Sequence, residues 1–373
     1  GPRQAGKTTL LRDLFPGHTY VSLDLPSTAE AAESDPGSFF KAFPPPVLVD
    51  EVQYAPGLFR HIKARIDKDR DAMGRFILTG SQSFLLMKSV SDSLAGRCVR
   101  FELENLAYAE LTHHGMLHSA DTDWPKFLVR GQFPELWKRP EISSDDFLRT
   151  YMATYLERDV RQILNVTSLR DFERFMRLLA ARTGNLLNKT ELAKDVGVAP
   201  RTIGDWVAVL EASGQIVLLE PWFRNIGKRM VKTPKVYFRD SGLLCHLLGL
   251  DENSLPKSSL LGAVWEGFIF SELRKLAGAL ERRGRFWFYR DQSGREADFI
   301  HEKNGVLDFI ESKWTEHPDR DDAKTITRLL GELAGTDSPE RPGRGILVGR
   351  PAVPYILDGA VQVVPVSELE TLL

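Results

Sequence analysis

The sequence predicts an α/β protein in three parts. A parallel sheet of the P-loop NTPase kind comes first, a helical and winged-helix-like region next, and a small second α/β domain last. Three observations predict it. The chain opens on the pattern G-x-x-x-x-G-K-[ST]. Short apolar strands alternate with amphipathic helices through about residue 103, as in a parallel sheet. In the last third, Asn304-Gly305 separates two strand-like runs, the strongest short signal for a tight hairpin. Polar text with Pro140 marks one boundary and the stretch from Asp251 to Ser259 another, giving domains 1–140, 141–255 and 256–373.

Composition bounds the function. At 373 residues the chain is too long for one ordinary domain, and 42% hydrophobic with 27% charged residues is ordinary for a soluble globular protein. Cys98 and Cys245 stand in unrelated contexts, which excludes a disulfide framework or zinc site and suits a cytoplasmic location. No apolar run approaches the ~18–20 residues of a membrane span. The net charge of -2 means that any nucleic-acid contact must come from a local basic patch.

The opening residues Gly1, Pro2, Arg3, Gln4, Ala5, Gly6, Lys7, Thr8 and Thr9 are the expected ATP-binding loop. Glycines let backbone N–H groups close around phosphate, Lys7 reaches the β/γ-phosphates, and the Thr8 hydroxyl holds Mg²⁺. Thr8 to Phe15 reads as a helix whose N-terminus faces the anion. Because a P-loop joins a strand to a helix, a strand is expected upstream of Gly1. His18 to Asp24 reads as a strand, and Val47-Leu48-Val49 as a buried one ending in Asp50-Glu51. Asp50 would face Mg²⁺, and Glu51 would orient the attacking water. Phe59 to Ile66 is helical. Arg75 to Leu78 is a strand, with Ser81 just beyond it in reach of the γ-phosphate or the water. A helix from Phe84 to about Leu94 and a strand from Val99 to Leu103 follow.

Phe147 to about Ala181 reads as helical. Asn188 with Glu191 caps the next helix, Gly197 turns the chain, Pro200 starts a second helix, and Gln215 to Leu219 begins a strand. This helix-turn-helix presents Arg201, Thr202 and Asp205. Downstream lie Arg224, Lys228, Arg229, Lys232, Lys235 and Arg239, interleaved with Trp222, Phe223, Tyr237 and Phe238. Cations supply affinity for a phosphate backbone and aromatics stack on bases, so this stretch is the expected nucleic-acid patch.

In the last third, a helix (Gly262 to Leu276), three strands (Arg285 to Arg290, Ala297 to Glu302, Val306 to Ser312), another helix (Asp322 to Leu333) and a strand (Gly345 to Val348) are expected. If Asn304-Gly305 forms the turn, Lys303 opposes Val306 and Asp298 opposes Glu311, with Lys313 on the same face. Paired carboxylates bind a divalent cation, and a nearby lysine assists the attacking water.

The runs Gly1 to Leu10, Val47 to Gln53, Leu78-Thr79-Gly80-Ser81 and Leu94-Ala95-Gly96-Arg97 resemble the prokaryotic AAA+-type predicted ATPases, an archaeal-ATPase-like P-loop family with a C-terminal domain of unknown function. Arg130-Gly131-Gln132-Phe133-Pro134-Glu135 resembles that group's Gly-Gly-Phe-Pro-Glu segment, with Gln132 in place of a glycine. Arg97 matches its Gly-Arg pair, as an arginine finger, a sensor or a structural ion pair. Asp298 with Glu311-Ser312-Lys313 is similar to the core of the PD-(D/E)xK nucleases, and by that resemblance Glu266 on the preceding helix is a further metal-binding acid. The resemblance implies Mg²⁺-dependent ATP binding and hydrolysis coupled to a nucleic-acid-directed activity, with homo-oligomers among the expectations. The alternative is a nucleotide-switched regulator or scaffold whose C-terminal carboxylates are vestigial.

Overall fold

The computed structural model describes residues 1–80, 94–118, 122–156, 160, 169–222, 232–279, 284–291, 293–335, 339–357 and 361–372. Contacts divide the chain into two compact units, Gly1–Asn105 with Ala212–Gly214, and Leu106–Glu211 with Gln215–Leu373.

The first unit is built on a parallel sheet of β1 (Thr19–Ser22), β2 (Val47–Asp50) and β3 (Phe76–Leu78), in that spatial order. The register sets Val21 beside Val49 and Val49 beside Leu78. Every residue of β2 is buried, which is why it reads as a continuous apolar run rather than an alternating one. The Leu58–Lys68 helix turns Leu58, Phe59 and Ile62 inward, where they share a core with Phe39, Phe40 and Val47. The strand expected over Val99–Leu103 is not formed. No ladder pairs it among the described residues, and Val99 and Phe101 stand exposed. An alternating apolar pattern makes a strand only where a neighbour takes up its backbone groups. The helix expected over Phe84 to Leu94 falls mainly outside the described residues.

In the second unit one hydrophobic core runs from Tyr108 to Leu372, so the stretches expected to separate near residue 255 pack together. The long helix expected from Phe147 is described as two, Ser144–Tyr155 and Leu169–Ala180. The helix-turn-helix text forms as expected. The Asn188 side chain caps Lys189–Val196 by accepting from Glu191 N, Gly197 closes that helix in the left-handed region (φ 88°), and Pro200–Ala212 follows. The ribbon of β4 (Ile216–Leu219) and β5 (Lys235–Phe238) is antiparallel. The Asp240 side chain then caps the Ser241–Leu248 helix.

The Arg130 to Glu135 segment has a packing role. Its Gly131 lies against Gly242 so closely that a Cβ on either would fall 3.0 Å or less from the other's backbone. Asp240 accepts from Gln132 N at 2.9 Å while capping the helix through Leu243 N. The wholly buried Gln132 side chain bonds Glu272 and Lys275 on the Leu261–Ala279 helix.

A six-stranded mixed sheet completes the unit. It comprises β6 (Arg285–Arg290), β7 (Glu296–Lys303), β8 (Val306–Ser312), β9 (Arg341–Gly349), β10 (Tyr355–Leu357) and β11 (Val361–Pro365), in the spatial order β10-β11-β9-β8-β7-β6. The β7–β8 hairpin has the expected register, from Lys303 opposite Val306 to Phe299 opposite Ile310. Asn304 and Gly305 both take positive φ (54° and 75°), as a two-residue turn of the right twist needs.

Candidate functional site

The P-loop site gathers around Asp50 at the end of β2. In the opening loop, Gln4 (φ 60°) and Gly6 (φ 84°) are left-handed, and Gly6 caps the Lys7–Leu14 helix. Lys7 Nζ donates to the carbonyls of Gly1 (3.1 Å) and Pro2 (2.6 Å), which holds the ammonium against the loop's own backbone. Thr8 Oγ1 donates to Asp50 Oδ2 at 2.9 Å. The hydroxyls of Tyr20 (3.1 Å) and Thr79 (2.5 Å) also bind the Asp50 carboxylate, which is only 6% exposed. Burial, then the charge of Asp50, raises the Tyr20 phenol above its ordinary range.

Glu51 adopts left-handed φ/ψ (54°, 45°), uncommon for a residue with a side chain. It swings the chain from β2 into the short turn Val52–Tyr54, and its carboxylate accepts from Gln53 Nε2. Pro2 and Ala5 are buried within the loop, while Thr9 is exposed. Ser81 lies outside the described residues. Arg97 pairs with Asp67 through Nε (2.8 Å) and Nη2 (3.2 Å). The hydroxyl of Thr8 and the carboxylate of Asp50 are hard oxygen donors side by side, a pairing that suits Mg²⁺.

A second cluster forms where β5, β7, β8 and the Leu261–Ala279 helix meet. Asp298 Oδ2 accepts from Ser312 N (2.8 Å) and Oγ (2.9 Å), and Glu311 Oε1 accepts from Lys313 Nζ (2.9 Å). Glu266 Oε1 accepts from Lys235 Nζ (3.0 Å) and Tyr237 OH (2.5 Å). Lys235 also pairs with Glu296, whose other oxygen lies 3.2 Å from Arg290 Nη1. Burial, reinforced by the charge of Asp298, pushes Glu266 up to about 7 and Glu311 up to about 8. Burial works against the Lys235 ammonium, yet Glu266, Asp298 and Glu296 outweigh it and raise its pKa. Burial likewise opposes Lys313, which Glu311 raises.

Asp298, Glu311, Lys313 and Glu266 thus belong to one electrostatic cluster. Among the described residues, however, no three His, Cys, Asp or Glu side chains are arranged to hold a metal ion. Lysines, a tyrosine and a serine each engage one oxygen of Asp298, Glu311 and Glu266, so a divalent ion expected at these acids would have to share their carboxylates with donors already in place.

The expected basic patch needs correction. Lys235 is 1% and Arg239 7% exposed, and Tyr237 and Phe238 are core residues, so none of these meets a polynucleotide. Buried cations and rings at strand spacing are indistinguishable in sequence from a solvated face. Phe223, Arg224, Lys228 and Arg229 lie outside the described residues, and Lys232 is exposed. Sequence reasoning also missed Tyr20, Gln53, Glu296 and the polar role of Thr79. Glu296 was accessible, since it precedes Asp298 by two and so shares its strand face. The others depend on pairings with no local signal.

Comparison with known proteins places this arrangement in a class. Residues 1–112 match the family model described as an AAA domain, which implies nucleotide binding and suggests ATPase activity. Residues 121–254 and 261–369 match two domains of unknown function, DUF8612 and DUF4143. The chain is 34% identical over 321 residues to an uncharacterized protein of Mycobacterium tuberculosis, a match covering 85% of this chain and 70% of that protein. A counterpart in Mycobacterium bovis matches to the same extent. The chain belongs to the family of these mycobacterial proteins. An uncharacterized protein of Haemophilus influenzae is 23% identical over 275 residues, covering 71% of this chain and 64% of that one. The crystal structure of a Vibrio cholerae protein aligns with a TM-score of 0.22 at 10% identity over 93% of this chain and 78% of that one, too slight a likeness to define a fold. Among the described residues no helix is long and apolar enough to cross a membrane.

Proposed function

We propose that the chain is a Mg²⁺-dependent ATPase whose nucleotide state is coupled to a nucleic-acid-directed activity. The observation that carries the ATPase reading is the hydrogen bond from Thr8 to Asp50, which joins the P-loop helix to the acidic strand end with Lys7 and Glu51 adjoining. Bound Mg²⁺ would neutralise charge on the phosphates. Thr8 and Asp50 would hold it, with Tyr20 and Thr79 keeping the Asp50 carboxylate in place. Lys7 exchanges the Gly1 and Pro2 carbonyls for phosphate oxygens. Glu51 orients the attacking water and takes up its proton, and Gln53 fixes the Glu51 carboxylate. Ser81 retains its proposed role as the group that senses the γ-phosphate.

Calorimetry tests the site. ATP binding by the parent should require Mg²⁺, and Asp50→Asn should remove most of that dependence. Equal ATP affinity with and without Mg²⁺ in the parent would overturn the assignment.

The nucleic-acid arm rests on the two helices and the antiparallel ribbon, the element order of a winged helix, with Arg201 exposed at the start of the second helix. Arg201→Glu should weaken duplex DNA binding and lower its log–log salt slope by about 0.9 for each phosphate that is no longer neutralised. An unchanged slope would remove that arm. The second reading is a nucleotide-switched regulator or scaffold, favoured by the lysine-filled state of the carboxylate cluster. Nicking of DNA or RNA by the parent with Mn²⁺ or Mg²⁺, lost in Lys313→Ala, would decide for a nuclease. An inert parent would decide for the regulator.

A further inference from the structure

The carboxylate cluster contains a cation of its own. We propose that the Lys235 ammonium is a tethered cation that takes the place of a divalent metal on the Glu266, Glu296 and Asp298 side of the cluster, so that the site is charge-compensated from within. The inference rests on the geometry of this cluster and not on the ATPase reading.

The Lys235 side chain is 2% exposed. An ammonium so buried persists only when paired. It meets Glu266 Oε1 at 3.0 Å and also pairs with Glu296. Its backbone is held from both sides, opposite Leu219 in the ribbon and bridged to Leu186, while the neighbouring Val236 exchanges hydrogen bonds with Gly184 and Asn185. Those ladders fix the backbone of Lys235, and the burial of its side chain leaves the stem little room to turn.

Its remaining neighbours suit an ammonium better than a metal. The ring centroids of Phe288 and Tyr237 lie 5.6 and 6.0 Å from Nζ. Ring faces attract an organic cation, whereas Mg²⁺ and Ca²⁺ require shells of oxygen. Tyr237 and Arg290 occupy further positions on the Glu266 and Glu296 carboxylates. Glu311 Oε2, a buried acceptor without a hydrogen bond, belongs instead to the carboxylate paired with Lys313. Lys235 therefore explains why converging acids form no three-ligand metal site among the described residues.

The test is Mn²⁺ binding to the full chain without nucleotide, read by the loss of free-ion signal in electron paramagnetic resonance. In the parent, Asp298→Asn should leave Mn²⁺ stoichiometry unchanged, because the cluster holds none. Lys235→Met should gain one Mn²⁺ per chain, bound at least about tenfold more tightly than by the parent cluster. Glu266→Gln added to it should remove that ion. Mn²⁺ should also restore thermal stability lost in Lys235→Met. A parent Mn²⁺ ion lost on Asp298→Asn overturns the proposal, and so does a folded Lys235→Met chain that gains no Mn²⁺. If Lys235→Met does not fold, the comparison of the parent with Asp298→Asn decides alone.

Discussion

The P-loop site and the C-terminal carboxylate cluster both bring lysines and acids together, but they are built in opposite ways. In the first, the cation and the hydroxyl are neighbours in sequence, Lys7 and Thr8, on one helix end, and a single long-range contact carries them to Asp50. The Lys7 ammonium donates to the Gly1 and Pro2 carbonyls, neutral oxygens that an anion can displace, among its contacts. In the second, the partners are drawn from three strands and a helix, and the ammonium of Lys235 is locked onto carboxylates. A cation resting on neutral oxygens is poised to receive a ligand. One buried on charged oxygens is already satisfied. The first arrangement suits turnover and the second suits structure or regulation.

Substitutions should break this contrast in graded ways. Lys7→Ala should abolish measurable ATP binding while leaving the melting temperature near that of the parent, because its partners are replaceable by water. Calorimetry and a thermal melt together check both halves. Lys235→Met should do the reverse. Leaving the half-buried Glu266 and Glu296 without their cation should lower stability in denaturant unfolding, by less than the about 3–5 kcal/mol of a fully buried broken pair, with ATP affinity unchanged in the fraction that remains folded.

A smaller effect concerns pH. Glu311 binds its proton up to about 8 in the folded chain, against an ordinary value of 4.5. Between those values the folded state holds more protons than the unfolded one, so its contribution to stability is full below pH 4.5 and is lost as pH rises through 8. Glu311→Gln should flatten that decline, and Glu266, raised to about 7, should leave a residual slope at the lower end. Melting temperatures from pH 5 to pH 9 would show an unchanged slope if this is wrong. The smallest effect should come from Arg97→Ala. If its pair with Asp67 is its whole role, turnover should stay within about threefold of the parent, where loss of an arginine finger costs about 10³-fold or more.

How much was legible follows the same division. Gly6, Lys7, Thr8 and Asp50 could be read because a phosphate loop is a local backbone shape with local residue demands. The β7–β8 register could be read because Asn304-Gly305 dictates a two-residue turn, and side-chain alternation then places Asp298 and Glu311. Lys235 could not, since a lysine in a basic, aromatic stretch reads as solvated until its strand is seen buried against Glu266. Val99 to Leu103 carries the alternation of a strand, but pattern alone cannot supply the neighbour that makes one. The close approach of Gly131 and Gly242 was equally hidden, because each glycine is needed only by the other.

The most direct test of the account is single-turnover ATP hydrolysis with Mg²⁺, comparing the parent with Glu51→Gln under conditions where both bind ATP. The expected result is preserved binding with hydrolysis slowed by about 10²-fold or more, as for loss of the group that orients the attacking water. Hydrolysis within a few-fold of the parent would contradict the assignment of Glu51, and with it the claim that the end of β2 is where this chain performs its chemistry.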